Sequence, residues 1–591
     1  MLGYPRATER FGGVAKSFAH PAAPPERRGS QRFFLAVADF WIFIQPPDSN
    51  TWSFRSASRR LNSSQSMTTR RLFFPFVNWM PSVPFTVAGF SPFLRAISIA
   101  RSTLMGSIVT AFPPVPGAGP PGSGRIRLHR KECFGGAGRA SGEVGSSLPR
   151  TRHPGAVALF GSSGIRGLAN AEITPELLLD VGRAVGVEYG NVLTGRDPRL
   201  SGRMLASAFG AGVLSVGGGV CDAGLVSTPT LARGAGGYGC GAMITASHNP
   251  GEYNGIKLWN PDGMAFTGEQ QHEVERALAA KDWRPAAWDA VGRYTERTDL
   301  VERHREAILK AVGSATLHVV VDCGCGATSN VTPYVLREMG CRVTALNAQM
   351  DGHFPGRDPE PTEEHLTTLR AAVPALGADV GIAHDGDGDR VVAVDAKGAF
   401  VGGDKLLALF AKERARKGLV VPVDASMALD DMLGGVPVYR TRVGDVYVAQ
   451  EMKRRGADFG GEPSGTYIFP DQTMCPDGPF AAAYLVTLLK DRSLKELLAA
   501  IPAYPVVRGA LPFDAAKREA LGKAMGPALL GLAPNEVTTL DGWRLAFDGG
   551  WALVRFSGTE PKIRLTAEAR EAARAKEIYD RVFAAVKGAS A

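Results

Sequence analysis

The sequence predicts an α/β protein built from parallel sheets and closed by an α+β segment. From about Val157 onward, short apolar runs alternate with helical stretches, the rhythm of βαβ units. After residue 505 that rhythm gives way to two strand-like runs around a loop, followed by one long helix. The chain has 591 residues, 45% of them hydrophobic, too many for one compact core.

Residues 1–156 do not read as a domain. They are rich in Arg, Ser, Pro and Phe without sustained period-2 or period-3.6 patterning, so an unstructured or spurious N-terminal extension is expected, with translation starting at or near Val157. Transit peptides share part of this composition but are shorter and poorer in aromatic runs. Charge also sets the segment apart: residues 1–150 hold 19 Lys+Arg against 6 Asp+Glu, a balance of +13, leaving 48 against 52, or −4, for the rest. The net charge of +9 is therefore no sign of a nucleic-acid partner for the folded part.

In the part that follows, a helix is predicted over 175–187, with Thr174 as N-cap and Pro175 at its first position. Strands are predicted at 317–321 (LHVVV), 380–383 and 391–394, and a helix at 494–500. Strands at 551–556 and 562–566 and a helix at 567–586 close the chain. Glycine and proline punctuation places boundaries near 310, 405 and 505, giving units 157–310, 311–405, 406–505 and 506–591. The longest apolar stretches, near 33–44 and 73–90, are interrupted by Asp39, Pro75, Asn78, Pro81 and Pro84, so no membrane-spanning helix is expected. Seven cysteines with no CxxC pair and no Cys/His zinc spacing fit a reducing cytoplasm, and residues 1–30 lack the apolar core of a secretory signal.

Four short motifs carry chemistry. Thr245-Ala246-Ser247-His248-Asn249-Pro250, leading into Tyr253-Asn254-Gly255-Ile256-Lys257, puts a serine beside a histidine and near a lysine, which suits a nucleophile or phosphate carrier. By itself it is equally a polar turn in which Ser247 and Asn249 bond local backbone. Asp385-Gly386-Asp387-Gly388-Asp389-Arg390 sets three carboxylates between two apolar strands, with glycines that let the loop wrap a cation. Oxygen-only donors favour Mg2+ over zinc, and no Glu stands where an EF-hand needs one. Gly460-Gly461-Glu462-Pro463-Ser464-Gly465-Thr466 offers a carboxylate and a hydroxyl from one turn, suited to vicinal sugar hydroxyls, though alone it is a plain turn. Arg555-Phe556-Ser557-Gly558-Thr559-Glu560-Pro561-Lys562-Ile563-Arg564 collects guanidinium groups, hydroxyls and a glycine N–H, the ingredients of a phosphate clamp or of a charged hairpin. The basic loop Gly195-Arg196-Asp197-Pro198-Arg199-Leu200-Ser201-Gly202 could steer anions.

In this order the four motifs, with the opening Phe160-Gly161-Ser162-Ser163-Gly164-Ile165-Arg166-Gly167, resemble the α-D-phosphohexomutase family from Leu159 to the C-terminus. The resemblance implies three related α/β domains and a C-terminal α+β phosphate-binding domain around a central cleft. It implies Ser247 as the phosphoserine, and Asp385, Asp387 and Asp389 as Mg2+ ligands completed by a Ser247 phosphate oxygen. Arg166, His248, Lys257 and Arg390 match residues that position the phosphoryl group or assist proton transfer. Glu462 and Ser464 match the pair that holds sugar hydroxyls, and Arg555, Ser557, Gly558 and Thr559 match the clamp for the distal phosphate. Phe556 and Pro198 depart from common family residues without removing a liganding group.

The implied reaction interconverts a hexose 6-phosphate and a hexose 1-phosphate through a hexose 1,6-bisphosphate that reorients between two transfers. Glu462-Pro463-Ser464-Gly465 and Arg440-Thr441-Arg442-Val443-Gly444-Asp445 are most similar to phosphoglucosamine mutases of archaeal type, which implies glucosamine 6-phosphate and glucosamine 1-phosphate. A phosphomannomutase/phosphoglucomutase is the alternative, because the hydroxyls that Glu462 and Ser464 would bind are common to several hexoses. A serine phosphatase fits less well, since hydrolysis does not need separate loops for sugar and distal phosphate. The expected partner is a phosphosugar, with no nucleic acid and no membrane, and the sequence leaves the oligomeric state open.

Overall fold

The computed structural model describes residues 159–161, 164–557 and 561–590, together with the backbone of three strands between 33 and 58. The chain divides into two compact units, residues 1–143 and 144–591. In the first, Phe33–Val37, Phe40–Gln45 and Ser53–Ser58 form an antiparallel sheet in that order. Phe, Trp, Ile and Val crowd the first two of these strands, a composition with high β propensity. The expected start near Val157 lies outside the described residues.

Among the described residues the second unit holds four sheets, and three of them share a plan. Val192–Arg196 lies between Cys240–Ile244 and Val220–Leu225, parallel to both, and Tyr253–Trp259 returns antiparallel to Cys240–Ile244. His318–Asp322 likewise lies parallel to Arg342–Leu346 and Val380–His384, with Val391–Asp395 as the antiparallel return. Leu419–Pro422 lies parallel to Val438–Thr441 and Phe459–Gly461, with Tyr467–Ile468 returning. In each sheet the connection into the antiparallel return strand carries one motif: residues 245–252, 385–390 and 462–466. The fourth sheet is antiparallel throughout, and the turn from Gly550–Phe556 to Lys562–Ala569 carries the fourth motif.

Local sequence explains most of these elements. Helix Pro175–Tyr189 starts where expected, because the Thr174 hydroxyl accepts the Leu177 N–H at 3.2 Å. The helix predicted over 567–586 instead spans Ala572–Ser590. Its first residues belong to strand Lys562–Ala569, which pairs on both edges, with Val506–Pro512 and Gly550–Phe556, and buries Ala567 and Ala569. A two-sided ladder plus burial outweighs the helix propensity of Ala and Glu.

The second and third sheets share one core, running from Ile308 to Leu497. At its centre the Phe410 ring meets Phe459, Tyr467 and Phe469 edge-on at centroid distances of 6.4, 4.9 and 5.9 Å. Such pairs add about 0.5–1.5 kcal/mol each beyond area burial, so the loops at 385–390 and 462–466 are held on one platform. The first and fourth sheets have their own cores, around Leu178, Phe209 and Ile244 and around Met525, Leu565 and Ile578. The fourth is joined to the third by buried Glu568, which accepts hydrogen bonds from Trp551 Nε1 (2.7 Å) and the Met427 N–H (2.8 Å). No helix among the described residues is long and apolar enough to cross a membrane.

Candidate active site

Ser247 leaves the buried strand Cys240–Ile244 three residues after its end and takes a left-handed φ of 55°. A non-glycine residue in that region is strained and must be held by its surroundings. The hold is visible: its N–H donates to Thr245 Oγ1 at 2.8 Å, and Thr245 donates to Asp197 at 2.6 Å. The result is a buried serine, only 1% exposed, whose hydroxyl donates to Asp385 Oδ2 at 3.1 Å, with His248 Nδ1 at 3.5 Å.

The three aspartates of the acidic loop converge. One carboxylate oxygen from each of Asp385, Asp387 and Asp389 lies within 4.8 Å of those of the other two, and all three residues are buried. Glycine is required at both intervening positions for different reasons. Gly388 has φ 81°, and a Cβ on it would lie 2.4 Å from Thr328 Cγ2; a Cβ on Gly386 would lie 2.7 Å from the Ser247 carbonyl, so only glycine lets the two loops touch. Lys257 Nζ reaches in from the antiparallel return strand of the first sheet and pairs with Asp387 at 2.8 Å and Asp389 at 2.6 Å. Thr228 adds a 2.5 Å bond to Asp387 Oδ2.

Electrostatics sort these groups. Burial and then the charges of Asp389 and Asp387 lift Asp385 well above the usual carboxylate range. Burial would also raise Asp387, but the Lys257 ammonium and its hydrogen bond, with that of Thr228, hold it below. Burial alone would lower Lys257, yet Asp387 and Asp389 outweigh it and keep the ammonium protonated. His248 moves the other way: burial, then Arg390, Arg166 and Lys257, push it down to about 2, so its imidazole is neutral. Asp387 Oδ1 and Asp389 Oδ1 are buried with no hydrogen-bond partner. Unpartnered carboxylate oxygens beside a third carboxylate are a donor set for a hard divalent cation.

Arg166 and Arg390 complete the cationic side. Half-buried Arg166 lies on Ile165–Leu168 opposite Gly255 and donates to Asn249 Oδ1 at 3.4 Å. Arg390 donates its backbone N–H to Asp385 Oδ1 at 3.2 Å and turns its guanidinium toward Glu360 at 3.4 Å.

The third loop joins through backbone: Arg390 bridges Thr466, and the Val391 N–H donates to the Gly465 carbonyl at 3.0 Å. Glu462 is buried and accepts from the Gly444 N–H at 2.6 Å, from Ser464 at 3.2 Å and from Thr466 at 3.3 Å, while Ser464 stays exposed. Burial, then Asp445 and Asp424, lift the Glu462 carboxyl to about 7. The unfolded chain ionises this group above about pH 4.5, so its burial weighs against folding increasingly from there and fully above pH 7, by about 3 kcal/mol at most. Glu462→Gln should therefore raise the thermal midpoint at pH 8 clearly more than at pH 5. Equal shifts at the two pH values would refute the buried-carboxylate account.

Arg555 is tied in at one remove. It pairs with Asp541 at 2.9 Å, and Asp541 also accepts the N–H of Val443, the residue before Gly444. Ser557 is buried and its N–H donates to the Lys562 carbonyl at 2.8 Å. Gly558 and Thr559 lie outside the described residues. Phe556 packs its ring against Phe513 at 5.0 Å, so this departure from the family pattern serves the core of the fourth sheet.

The 195–202 loop requires a correction. Arg199 is 1% exposed and pairs with Asp197 at 3.0 Å, so it is not placed to steer anions in solution. Sequence reasoning saw Asp197 only as part of this basic loop and missed Thr228 and Arg357, whose partners Asp387, Asp322 and the His384 carbonyl are distant in sequence.

Comparison with known proteins follows the same division. Family models described as phosphoglucomutase/phosphomannomutase alpha/beta/alpha domains I, II and III match residues 157–285, 299–398 and 402–504, and that family's C-terminal domain matches 507–585. A protein of Methanococcoides burtonii named probable phosphoglucosamine mutase is 51% identical over 427 residues, covering 72% of this chain and 97% of the relative. One of the same name from Methanosarcina barkeri is 53% identical over 425 residues, covering 71% and 97%. A crystal structure of a phosphoglucomutase/phosphomannomutase family protein from Burkholderia thailandensis aligns with a TM-score of 0.66 at 26% identity, covering 73% of this chain and 97% of that one.

Proposed function

The chain belongs to the phosphoglucomutase/phosphomannomutase family, and on that premise we propose that it interconverts glucosamine 6-phosphate and glucosamine 1-phosphate, carrying the phosphoryl group on Ser247. The observation that carries the reading is the Ser247 hydroxyl 3.1 Å from Asp385 at the edge of a three-carboxylate cluster. The choice of sugar rests on relatives 51% and 53% identical over 97% of their length.

In this reading Asp385, Asp387 and Asp389 hold Mg2+, which when bound offsets charge on the transferring phosphoryl group. Lys257, kept protonated between two carboxylates, and Arg166 supply fixed positive charge on the same side. His248 Nδ1 lies 3.5 Å from Ser247 Oγ, so the side chain is placed to position the phosphoryl group or to assist proton transfer when a sugar hydroxyl attacks. Glu462 and Ser464 hold sugar hydroxyls, and Arg555, Ser557, Gly558 and Thr559 bind the distal phosphate. Hexose 1,6-bisphosphate would form on the first transfer and rebind reversed. The six described cysteines are all free and buried, which suits the reducing cytoplasm.

Assaying glucosamine, mannose and glucose phosphates with one preparation tests the substrate. The glucosamine pair should have the highest kcat/KM; preference for mannose or glucose phosphates would assign the phosphomannomutase/phosphoglucomutase alternative. Arg555→Ala should raise KM for the monophosphate by roughly 30-fold, since a charge-assisted bidentate contact to phosphate is worth about 2 kcal/mol, and change kcat less. A loss confined to kcat would remove Arg555 from the distal clamp.

A further inference from the structure

The first two sheets carry the same device on their central parallel strands. Asp197 directly follows Val192–Arg196, and Asp322 ends His318–Asp322. Each buried carboxylate receives an arginine Nε at 3.0 Å, from Arg199 and from Arg357. Neither guanidinium stops there. Arg199 donates to the main-chain carbonyls of Ser247 (2.8 Å), Asn249 (2.6 Å), Pro250 (2.5 Å) and Tyr253 (2.8 Å), the whole turn that carries the serine. Arg357 donates to the His384 carbonyl at 2.5 Å, immediately before Asp385, and to the carbonyls of Asp358 and Pro359 at 2.9 and 3.2 Å.

The two clamps also meet. The chain ahead of Arg357 covers Arg199: Phe354 places its ring 5.2 Å below the guanidinium, and a Cβ on Gly352 would lie 2.3 Å from the Pro198 carbonyl.

We propose that Arg199 and Arg357 are positioning residues for phosphoryl transfer. Arg199 holds Ser247 in its strained left-handed backbone so that Oγ faces Asp385, and Arg357 holds the point from which the acidic loop departs. The inference rests on Ser247 being the phosphoryl carrier. A planar five-donor fork can bridge one carboxylate and four carbonyls at once, which a lysine ammonium with three donors cannot. Arg→Lys therefore keeps charge and bulk while releasing the loop.

The test uses the full chain with Arg199→Lys, Arg357→Lys and wild type. Each is labelled with glucose 1,6-bisphosphate and followed by intact mass, so turnover is expressed per phosphorylatable site and misfolded protein drops out. Arg199→Lys should lower kcat per labelled site by roughly 100-fold, the scale of a misplacement near 1 Å, with KM and calorimetric Mg2+ affinity within about twofold of wild type. Arg357→Lys should weaken Mg2+ binding, measured without substrate, by roughly tenfold. In Arg199→Ala, added guanidinium chloride at non-denaturing concentration should restore part of the lost rate. Unchanged turnover per labelled site in Arg199→Lys, or equal effects of the two substitutions on Mg2+ affinity, would overturn the proposal. A wild type that takes no label on Ser247 would instead remove the reading it rests on.

Discussion

Ser247→Ala is expected to take no phosphoryl label from glucose 1,6-bisphosphate and to lose turnover by about 10⁴-fold or more, the scale seen when a covalent nucleophile is deleted. The fold should survive. The hydroxyl is one donor to Asp385 Oδ2 at 3.1 Å, and a lost hydrogen bond of this kind changes stability by about 1 kcal/mol. Alanine tolerates the left-handed φ of 55° no worse than serine, and the bonds from Arg199 to the loop carbonyls involve backbone atoms that the substitution leaves in place. Intact mass after incubation with the bisphosphate gives one added phosphoryl group on wild type and none on the variant. Label retained on the variant, or residual turnover within tenfold of wild type, would move the carrier to another residue.

Asp387→Asn is expected to be the second most damaging change, through the cation rather than the sugar. Asp387 offers one oxygen to Lys257 and Thr228 and keeps the other, Oδ1, buried and unpartnered. An amide still accepts at one atom, but it removes one of three carboxylates from the proposed cation site and presents N–H groups to Lys257. Mg2+ affinity should fall by roughly 100-fold and kcat by about 10³-fold, while KM for the monophosphate moves only a few-fold, because the distal phosphate is proposed to bind at Arg555. Chelation with EDTA should silence wild type reversibly. The kcat/KM split between this variant and Arg555→Ala is the decisive comparison; if both raised only KM, the separation of transfer site and distal clamp would be wrong.

The parts of the site legible in the sequence are those whose residues are consecutive. Three aspartates at alternate positions between apolar runs, a Ser-His-Asn-Pro turn, a Glu-Pro-Ser-Gly turn and an Arg-rich hairpin all sit on single strand-to-strand returns, so their chemistry is written in a few adjacent residues. The strands beside them were readable for the same reason, as buried runs of Val, Ile and Ala. The helix start at 567 was misplaced because Ala and Glu favour a helix locally, whereas the two flanking strands that claim Lys562–Ala569 include one beginning at Val506, far off in the chain.

Long-range placement decided the rest. That Lys257 faces Asp387 and Asp389 across 130 and 132 residues, that Thr228 reaches Asp387 across 159, and that Arg199 supports Ser247 across 48 follow from sheets docking loop against loop. The same docking turned Arg199 from a surface cation into a buried clamp and left His248 neutral. Local sequence alone therefore determined which groups can do the chemistry. Which of them stay charged, and which merely hold the others still, depends on desolvation and on charges brought together from separate domains, and only the tertiary structure specifies those.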